Sequence, residues 1–332
     1  MAEQPMIEVR DLKVRFRRGK QIVSAVNGVN LTVARGEVLA LIGESGSGKS
    51  VTLRALMRLH PERSTTIEGQ IHIDGQDVMA LSNSQLRALR GPVAAMIFQE
   101  PLLAMDPVYT VGAQIIEALR QHRPLSHAEA RQAALESLRR VRIPSPEQRL
   151  DAYPHEMSGG MRQRAMIALA LSCQPQLLLA DEPTTALDAT VQIQILILLR
   201  ELQQDLGLSI VFVTHDIGAA VEVADRVAVM YGGRIVEQAP LQELLDNPRH
   251  PYTQVLLSTR PKGGLTKGER LVSIPGSPPD LTRLPDGCAF SPRCPRASDV
   301  CRSQLPASQN VADGHQIRCH HWMADRLSDP VS

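Results

Sequence analysis

The run Gly43-Glu44-Ser45-Gly46-Ser47-Gly48-Lys49-Ser50 constrains this chain more than any other feature. It stands between an unbroken apolar stretch, Val38 to Ile42, and a helical pattern from Val51 to Leu59. The run fits G-x-x-x-x-G-K-[ST], in the strand-then-helix context that such a loop requires. Its glycines let consecutive backbone N–H groups turn inward around phosphate oxygens, and the N-terminus of the following helix adds partial positive charge. Lys49 is expected to reach the β- and γ-phosphates of a bound ATP, and Ser50 to place its hydroxyl on Mg²⁺.

The rest of the chain supplies a matching frame. Val38 to Ile42, Leu177 to Ala180 and Ile210 to Val213 are short and continuously apolar, the pattern of strands covered on both faces of a buried parallel sheet. Helical stretches over 128–141, 163–171 and 190–206 alternate with them, which predicts a doubly wound α/β core. Partial alternation over 7–16, 29–33 and 69–73 predicts a half-exposed antiparallel β layer at the N-terminal side. Beyond 260 the texture changes. Pro275, Pro278, Pro279, Pro285, Pro292 and Pro295 exclude a long helix there, and a domain boundary is expected near 258.

A second chemical signal closes one of the apolar runs, where Leu177-Leu178-Leu179-Ala180 leads into Asp181-Glu182. In nucleotide triphosphatases an aspartate in this position holds hydrated Mg²⁺, and the next carboxylate can orient and deprotonate the attacking water. Asp181 is therefore expected on the metal and Glu182 on the water, although two acids could also simply end a strand before the Pro183-Thr184 turn.

Met157-Ser158-Gly159-Gly160-Met161-Arg162-Gln163-Arg164 resembles the signature motif of ATP-binding-cassette (ABC) ATPases. It departs from the commonest form at Met157 and Met161 but keeps Ser158, Gly159 and Gly160. A small hydroxyl and two glycines opening a helix make a second anion site. The resemblance implies that this site grips ATP held by the other cassette of a dimer. It also implies roles for the remaining landmarks, which follow in the family's order. Phe16 stands where an aromatic ring stacks on adenine. Gln99, in Ile97-Phe98-Gln99-Glu100-Pro101, resembles the glutamine loop that contacts Mg²⁺ and senses the membrane partner. Asp188, in Thr185-Ala186-Leu187-Asp188, resembles the loop that communicates across the dimer, and His215, in Thr214-His215-Asp216, the histidine that contacts the γ-phosphate. The implied fold is an α/β P-loop ABC cassette over 1–258, with a RecA-like parallel core, an N-terminal antiparallel β layer and a helical subdomain at about 100–165. A Cys/Pro-rich extension follows over 259–332.

The form of the 43–50 loop, the stretch Arg249-His250-Pro251-Tyr252-Thr253 and the Pro/Cys tail resemble one subgroup, the dipeptide and oligopeptide importer ATPases. That resemblance implies a second, related ATPase subunit, two transmembrane permease subunits and an external solute-binding protein. Nickel and opine importers share much of this cassette. A soluble, non-transport ABC ATPase would usually bring a coiled-coil insertion or a second cassette, and a non-hydrolysing regulator should lack Glu182. Charge agrees with a protein partner: 36 Lys and Arg stand against 35 Asp and Glu, so nothing draws the chain globally to nucleic acid or anionic lipid. Its apolar runs fall well short of the ~20 residues that span a bilayer. The opening residues carry no export pattern. The expected location is the cytoplasmic face of the inner membrane, reached through the permease subunits.

The tail carries Cys288, Cys294, Cys301 and Cys319, whereas Cys173 stands apart and reads as a core thiol. So proline-rich a segment holds few apolar residues to order it. Disulfides are disfavoured in reducing cytoplasm, which leaves a site for Zn²⁺ or for an iron–sulfur cluster. His315, His320 and His321 are close enough in sequence to compete as zinc ligands. The importer tail that this segment resembles is associated with a [4Fe–4S] cluster. The tail is expected to be structural, leaving phosphoryl chemistry to the cassette.

Overall fold

The computed structural model describes residues 4–185, 187–258 and 274–324. The expected boundary at 258 abuts residues 259–273, which lie outside the described residues, as do 325–332 and Ala186 of the Asp188 loop. The chain forms two compact units, one of 4–7, 33–38 and 72–213, the other of 8–32, 39–71 and the described residues from 214 onward.

The first unit carries β6 (Ala94–Ile97), β7 (Leu177–Asp181) and β8 (Ser209–Thr214), hydrogen-bonded in that order and parallel. Every residue of the three is buried, which explains their unbroken apolar sequences. Seven helices accompany them: α2 (Asn83–Leu89), α3 (Pro101–Ala104), α4 (Val111–His122), α5 (His127–Arg140), α6 (Pro146–Arg149), α7 (Gly159–Leu171) and α8 (Ala189–Leu206). Helices α4, α5 and α7 pack on one another and bury Ile115, Leu119, Ala134, Leu138 and Ala165. Capping sets where the helices begin. Ser126 opens α5 with a capping box completed by Glu129, Ser158 opens α7 and Asp188 opens α8, each accepting a backbone N–H from its own first turn. The two-residue β5 (Gln76–Asp77) pairs antiparallel with residues 72–73, His72 opposite Asp77.

The second unit contains β1 (Ile7–Arg18), β2 (Gln21–Val33) and β4 (Thr65–Ile73), a layer in the order β2-β1-β4. Beside it, β3 (Val38–Ile42) runs parallel to β9 (Arg226–Tyr231), which forms an antiparallel hairpin with β10 (Arg234–Pro240) across the Gly232-Gly233 turn. This unit also holds α1 (Lys49–Leu56), α9 (Ile217–Val223), α10 (Leu241–Asp246), α11 (Pro251–Ser258) and α12 (Asp299–Ser303). The tail does not stand alone. Its hairpin, β11 (Gln309–Ala312) and β12 (His315–Ile317), adds to the edge of β10 with Ile317 opposite Glu237. Proline keeps its helices as short as expected, a single 3₁₀ turn at Ser291–Arg293 and the five residues of α12.

Candidate functional site

The phosphate-binding loop follows β3 and ends in α1, whose N-cap is Gly48. Two of its glycines are required by their surroundings. Gly43 has φ +151° and a Cβ there would lie 2.2 Å from the Met230 carbonyl oxygen; Gly48 has φ +103° and a Cβ would lie 2.4 Å from the Ala25 carbonyl oxygen. The loop thus passes against the backbone of β9 and β2, closer than any side chain allows. Lys49 is 4% exposed, and its Nζ donates to the carbonyls of Gly43 at 2.7 Å and Glu44 at 2.9 Å, which holds the ammonium across the mouth of the loop. Ser47 is buried with its Oγ unpartnered, while Ser45 and Gly46 are exposed and Ser50 is half-buried at the start of α1.

Glu44 departs from the expected pattern of inward N–H groups. Its amide donates to the Tyr252 hydroxyl at 2.9 Å, and its carboxylate accepts from Nη1 and Nη2 of Arg293 at 2.7 and 3.0 Å. Phe16, half-buried on β1, meets His60 edge-on with ring centroids 5.2 Å apart. His215 is exposed just after β8, and the next residue, Asp216, caps α9 by accepting the Gly218 N–H at 2.7 Å.

In the first unit, Asp181 is fully buried at the end of β7. Glu182 follows with φ +46°, a left-handed conformation that is costly for a non-glycine residue and is characteristic of functional positions. One of its carboxylate oxygens, Oε2, accepts from Thr185 Oγ1 at 2.8 Å and from Gln99 Nε2 at 3.3 Å, so the structure brings these three side chains together. Ser158 is exposed; a Cβ on Gly160 would lie 2.8 Å from Val191 Cγ1, and one on Gly159 would lie 3.5 Å from Leu187 Cδ2. The signature loop and the start of α8 beyond Asp188 are therefore close neighbours.

The four tail cysteines line one cavity together with His250 and Phe290. Backbone N–H groups reach the sulfurs: His321 N donates to Cys319 Sγ at 3.3 Å, and the amides of Phe290 and Arg296 approach Cys288 and Cys294. Burial raises the thiols of Cys288, Cys294 and Cys319, that of Cys294 to about 11 and that of Cys319 to about 12. Among the described residues, no three His, Cys, Asp or Glu side chains are gathered closely enough to hold a metal ion. Of the histidines weighed as zinc ligands, His315 points elsewhere: Nε2 meets Glu237 at 2.8 Å and Nδ1 meets Glu243 at 3.3 Å. His320 Nε2 faces the Gln304 carbonyl at 3.0 Å, and His321 Nε2 faces Ser298 Oγ at 2.8 Å. Cys173 is half-buried, its thiol raised by burial and set 3.6 Å from the Ala118 carbonyl oxygen, as suits a packing role. Sequence reasoning passed over Arg293 and took Tyr252 only as part of a subgroup resemblance; both contact Glu44 from remote positions.

Comparison with known proteins agrees with this geometry. Residues 26–185 match the family model for the ABC transporter, and residues 236–301 match that for the oligopeptide/dipeptide transporter C-terminal region. A probable peptide ABC transporter ATP-binding protein of Sinorhizobium fredii is 48% identical over 323 residues, covering 97% of this chain and 96% of the relative. A putative peptide import ATP-binding protein of Brucella melitensis is 48% identical over 333 residues, covering 97% and 98%. Among solved structures, the dimeric bacterial ABC transporter cassette MJ0796 superposes with TM-score 0.64 at 31% identity, over 71% of this chain and 99% of that one. The same cassette bound to ADP and Pi after hydrolysis gives 0.64 at 30% identity.

Proposed function

The chain belongs to the ABC transporter ATP-binding proteins, in the oligopeptide/dipeptide group of its relatives, and from that premise we propose how its residues divide the work of a peptide importer. As a member of this family it is an ATPase whose hydrolysis drives peptide uptake. The observation that carries the assignment of the nucleotide site is the loop at 43–50, with Lys49 held across its mouth at the N-terminus of α1.

The loop from Gly43 to Ser50 receives the β- and γ-phosphates, with Lys49 moving from its own carbonyls to the triphosphate oxygens. Phe16 stacks on adenine. Ser50, Gln99 and Asp181 would hold Mg²⁺, which would supply positive charge against that of the triphosphate. Glu182 orients the attacking water and takes its proton, while His215 donates to the γ-phosphate. The contacts of Glu182 with Gln99 and Thr185 support that role, because they hold the carboxylate in a fixed direction. Ser158, Gly159 and Gly160 close on ATP bound by a second cassette, and Asp188 communicates across that contact. Partners are a related ATPase subunit, two permease subunits and a solute-binding protein. Attachment to the cytoplasmic face would run through the permeases, as membership of the family implies; among the described residues no helix is long and apolar enough to cross a membrane. We assign 1–258 to the nucleotide-binding domain, with its helical subdomain at about 100–165, and 259–332 to the extension.

Cys288, Cys294, Cys301 and Cys319 would hold a [4Fe–4S] cluster, which supplies a compact cross-link between four points of the tail. The reading is supported by the four thiols lining one cavity and by the His321 N–H donated to Cys319 Sγ, a bond that a ligand sulfur can accept. Anaerobically prepared protein should be brown, with iron near four per chain; near-stoichiometric zinc without iron refutes the cluster.

Replacing Glu182 by Gln should leave ATP binding in place and slow hydrolysis by about 10²-fold or more in the assembled transporter, trapping ATP-bound dimers. Hydrolysis at the parental rate would remove Glu182 from its role.

A further inference from the structure

The cysteine segment grips the phosphate-binding loop directly. Arg293, immediately before Cys294, has a side chain only 5% exposed, and all five of its N–H donors are used. Nη1 donates to Glu44 Oε2 at 2.7 Å and to the Tyr231 hydroxyl at 3.1 Å, Nη2 to Glu44 Oε1 at 3.0 Å and to the Ile274 carbonyl at 3.1 Å, and Nε to the Pro275 carbonyl at 2.8 Å. A two-pronged, buried pair of this kind fixes direction as well as distance, and loss of either partner strands a charge. Glu44 is the second residue of the phosphate-binding loop, and its carbonyl is one of the two that hold Lys49 Nζ. The clamp therefore acts on a residue that itself anchors the lysine.

A second arm meets the same residue. The Glu44 amide donates to Tyr252 Oη at 2.9 Å, and the Tyr252 amide donates to His250 Nδ1 at 3.1 Å. His250 is 1% exposed, lines the cysteine cavity and finds no hydrogen-bond partner for its Nε2 among the described residues. Because Nδ1 accepts, the neutral ring carries its proton on Nε2, a buried donor at the rim of the cavity. Tyr231, Tyr252 and Phe290 fill the space between the two arms, with ring centroids 4.6 to 5.4 Å apart. Such a packed cluster transmits a displacement at one edge to the other.

We propose that Arg293 is a positioning residue for the phosphate-binding loop, and that the four-cysteine cavity, by fixing the turn that carries Arg293, sets the affinity of the loop for ATP. The proposal rests on the reading of residues 43–50 as the ATP loop. Coupling between the two sites is reciprocal, so bound ATP should in turn protect the cysteines.

The test uses the full chain with ATP as the probe, measured by equilibrium dialysis, and thiol alkylation of reduced, chelator-treated protein with and without ATP. Arg293→Ala and Glu44→Gln should each weaken ATP binding roughly tenfold, and the double variant should be no weaker than either single one. Cys294→Ser should weaken binding in the same direction, with no additional loss when combined with Arg293→Ala. ATP should slow alkylation of the wild type and leave the Arg293→Ala rate unchanged, a difference that lost packing alone would not produce. Should Arg293→Ala fail to fold, Glu44→Gln, which keeps the shape of the side chain, serves alone in both measurements. Wild-type affinity in the Arg293 and Glu44 variants overturns the clamp. Normal affinity in Cys294→Ser together with absence of ATP protection overturns the coupling to the cysteines. A wild-type chain that binds no ATP overturns both the proposal and the reading on which it rests.

Discussion

At the scale of single residues, the charges that matter most are those taken out of water. Glu237 on β10 is fully buried and accepts from the amides of Arg249 and His250 at 2.6 and 3.0 Å and from His315 Nε2 at 2.8 Å. His315 also faces Glu243 on α10. Burial opposes charge on the imidazole, but the two carboxylates outweigh it and hold its pKa above the ordinary 6.5. A base whose pKa is raised by folding stabilises the native state fully below its unfolded value, and that contribution fades as pH climbs through the folded value. Stability against urea should therefore decline from pH 6.5 upward in a component that His315→Gln removes. If the variant and parent lose stability in parallel over that interval, the ion pair is not its source. Glu182 illustrates a different economy of residues: its left-handed φ of +46° puts strain where a carboxylate must be aimed.

At the scale of elements, the glycines of the phosphate-binding loop show how backbone contacts set sequence. Gly48→Ala would place a methyl 2.4 Å from the Ala25 carbonyl oxygen and force φ +103° on an L side chain. A loss of about 1–3 kcal/mol in urea unfolding is expected, together with weakened ATP binding; a change within roughly 0.5 kcal/mol would show that the loop can be rebuilt around the methyl. Such elements are legible because their physics is local. Val38 to Ile42, Leu177 to Ala180 and Ile210 to Val213 read as buried strands from apolar continuity, and each is one. The alternating stretch 29–33 marked only the end of β2, which begins at Gln21, because burial does not alternate over its earlier residues. The β9–β10 hairpin was passed over although Val227 to Tyr231 is apolar and Gly232-Gly233 is a hairpin turn pair. The Arg293–Glu44 pair was beyond reach, since 249 positions separate two charges that only the folded chain brings together. That contact gives the tail, expected to be structural, a specific point of attachment on the phosphate loop.

At the scale of the whole molecule, the placement of motifs bears on the proposed pairing with a second, related ATPase subunit. The phosphate-binding loop and the signature loop belong to different compact units, and each ends at a helix N-terminus fit to receive an anion. The proposed function gives the first to the chain's own ATP and the second to ATP held by the partner ATPase. Ser158 separates the two roles experimentally. It caps α7 by accepting the Met161 amide at 3.3 Å and is itself exposed. Arginine there removes the cap, at about 1 kcal/mol, and sets a bulky cation against the positive end of the helix where phosphate should dock. Ser158 and the 43–50 loop belong to different compact units. Ser158→Arg should consequently bind ATP with affinity within about twofold of the parent while turnover in the assembled transporter falls at least tenfold, because closure is blocked and loading is not. Chemical cross-linking across the ATPase subunits should lose its ATP dependence in the same preparation. Equal losses of affinity and turnover would assign Ser158 to the nucleotide of its own chain, and the two-cassette mechanism would have to be abandoned.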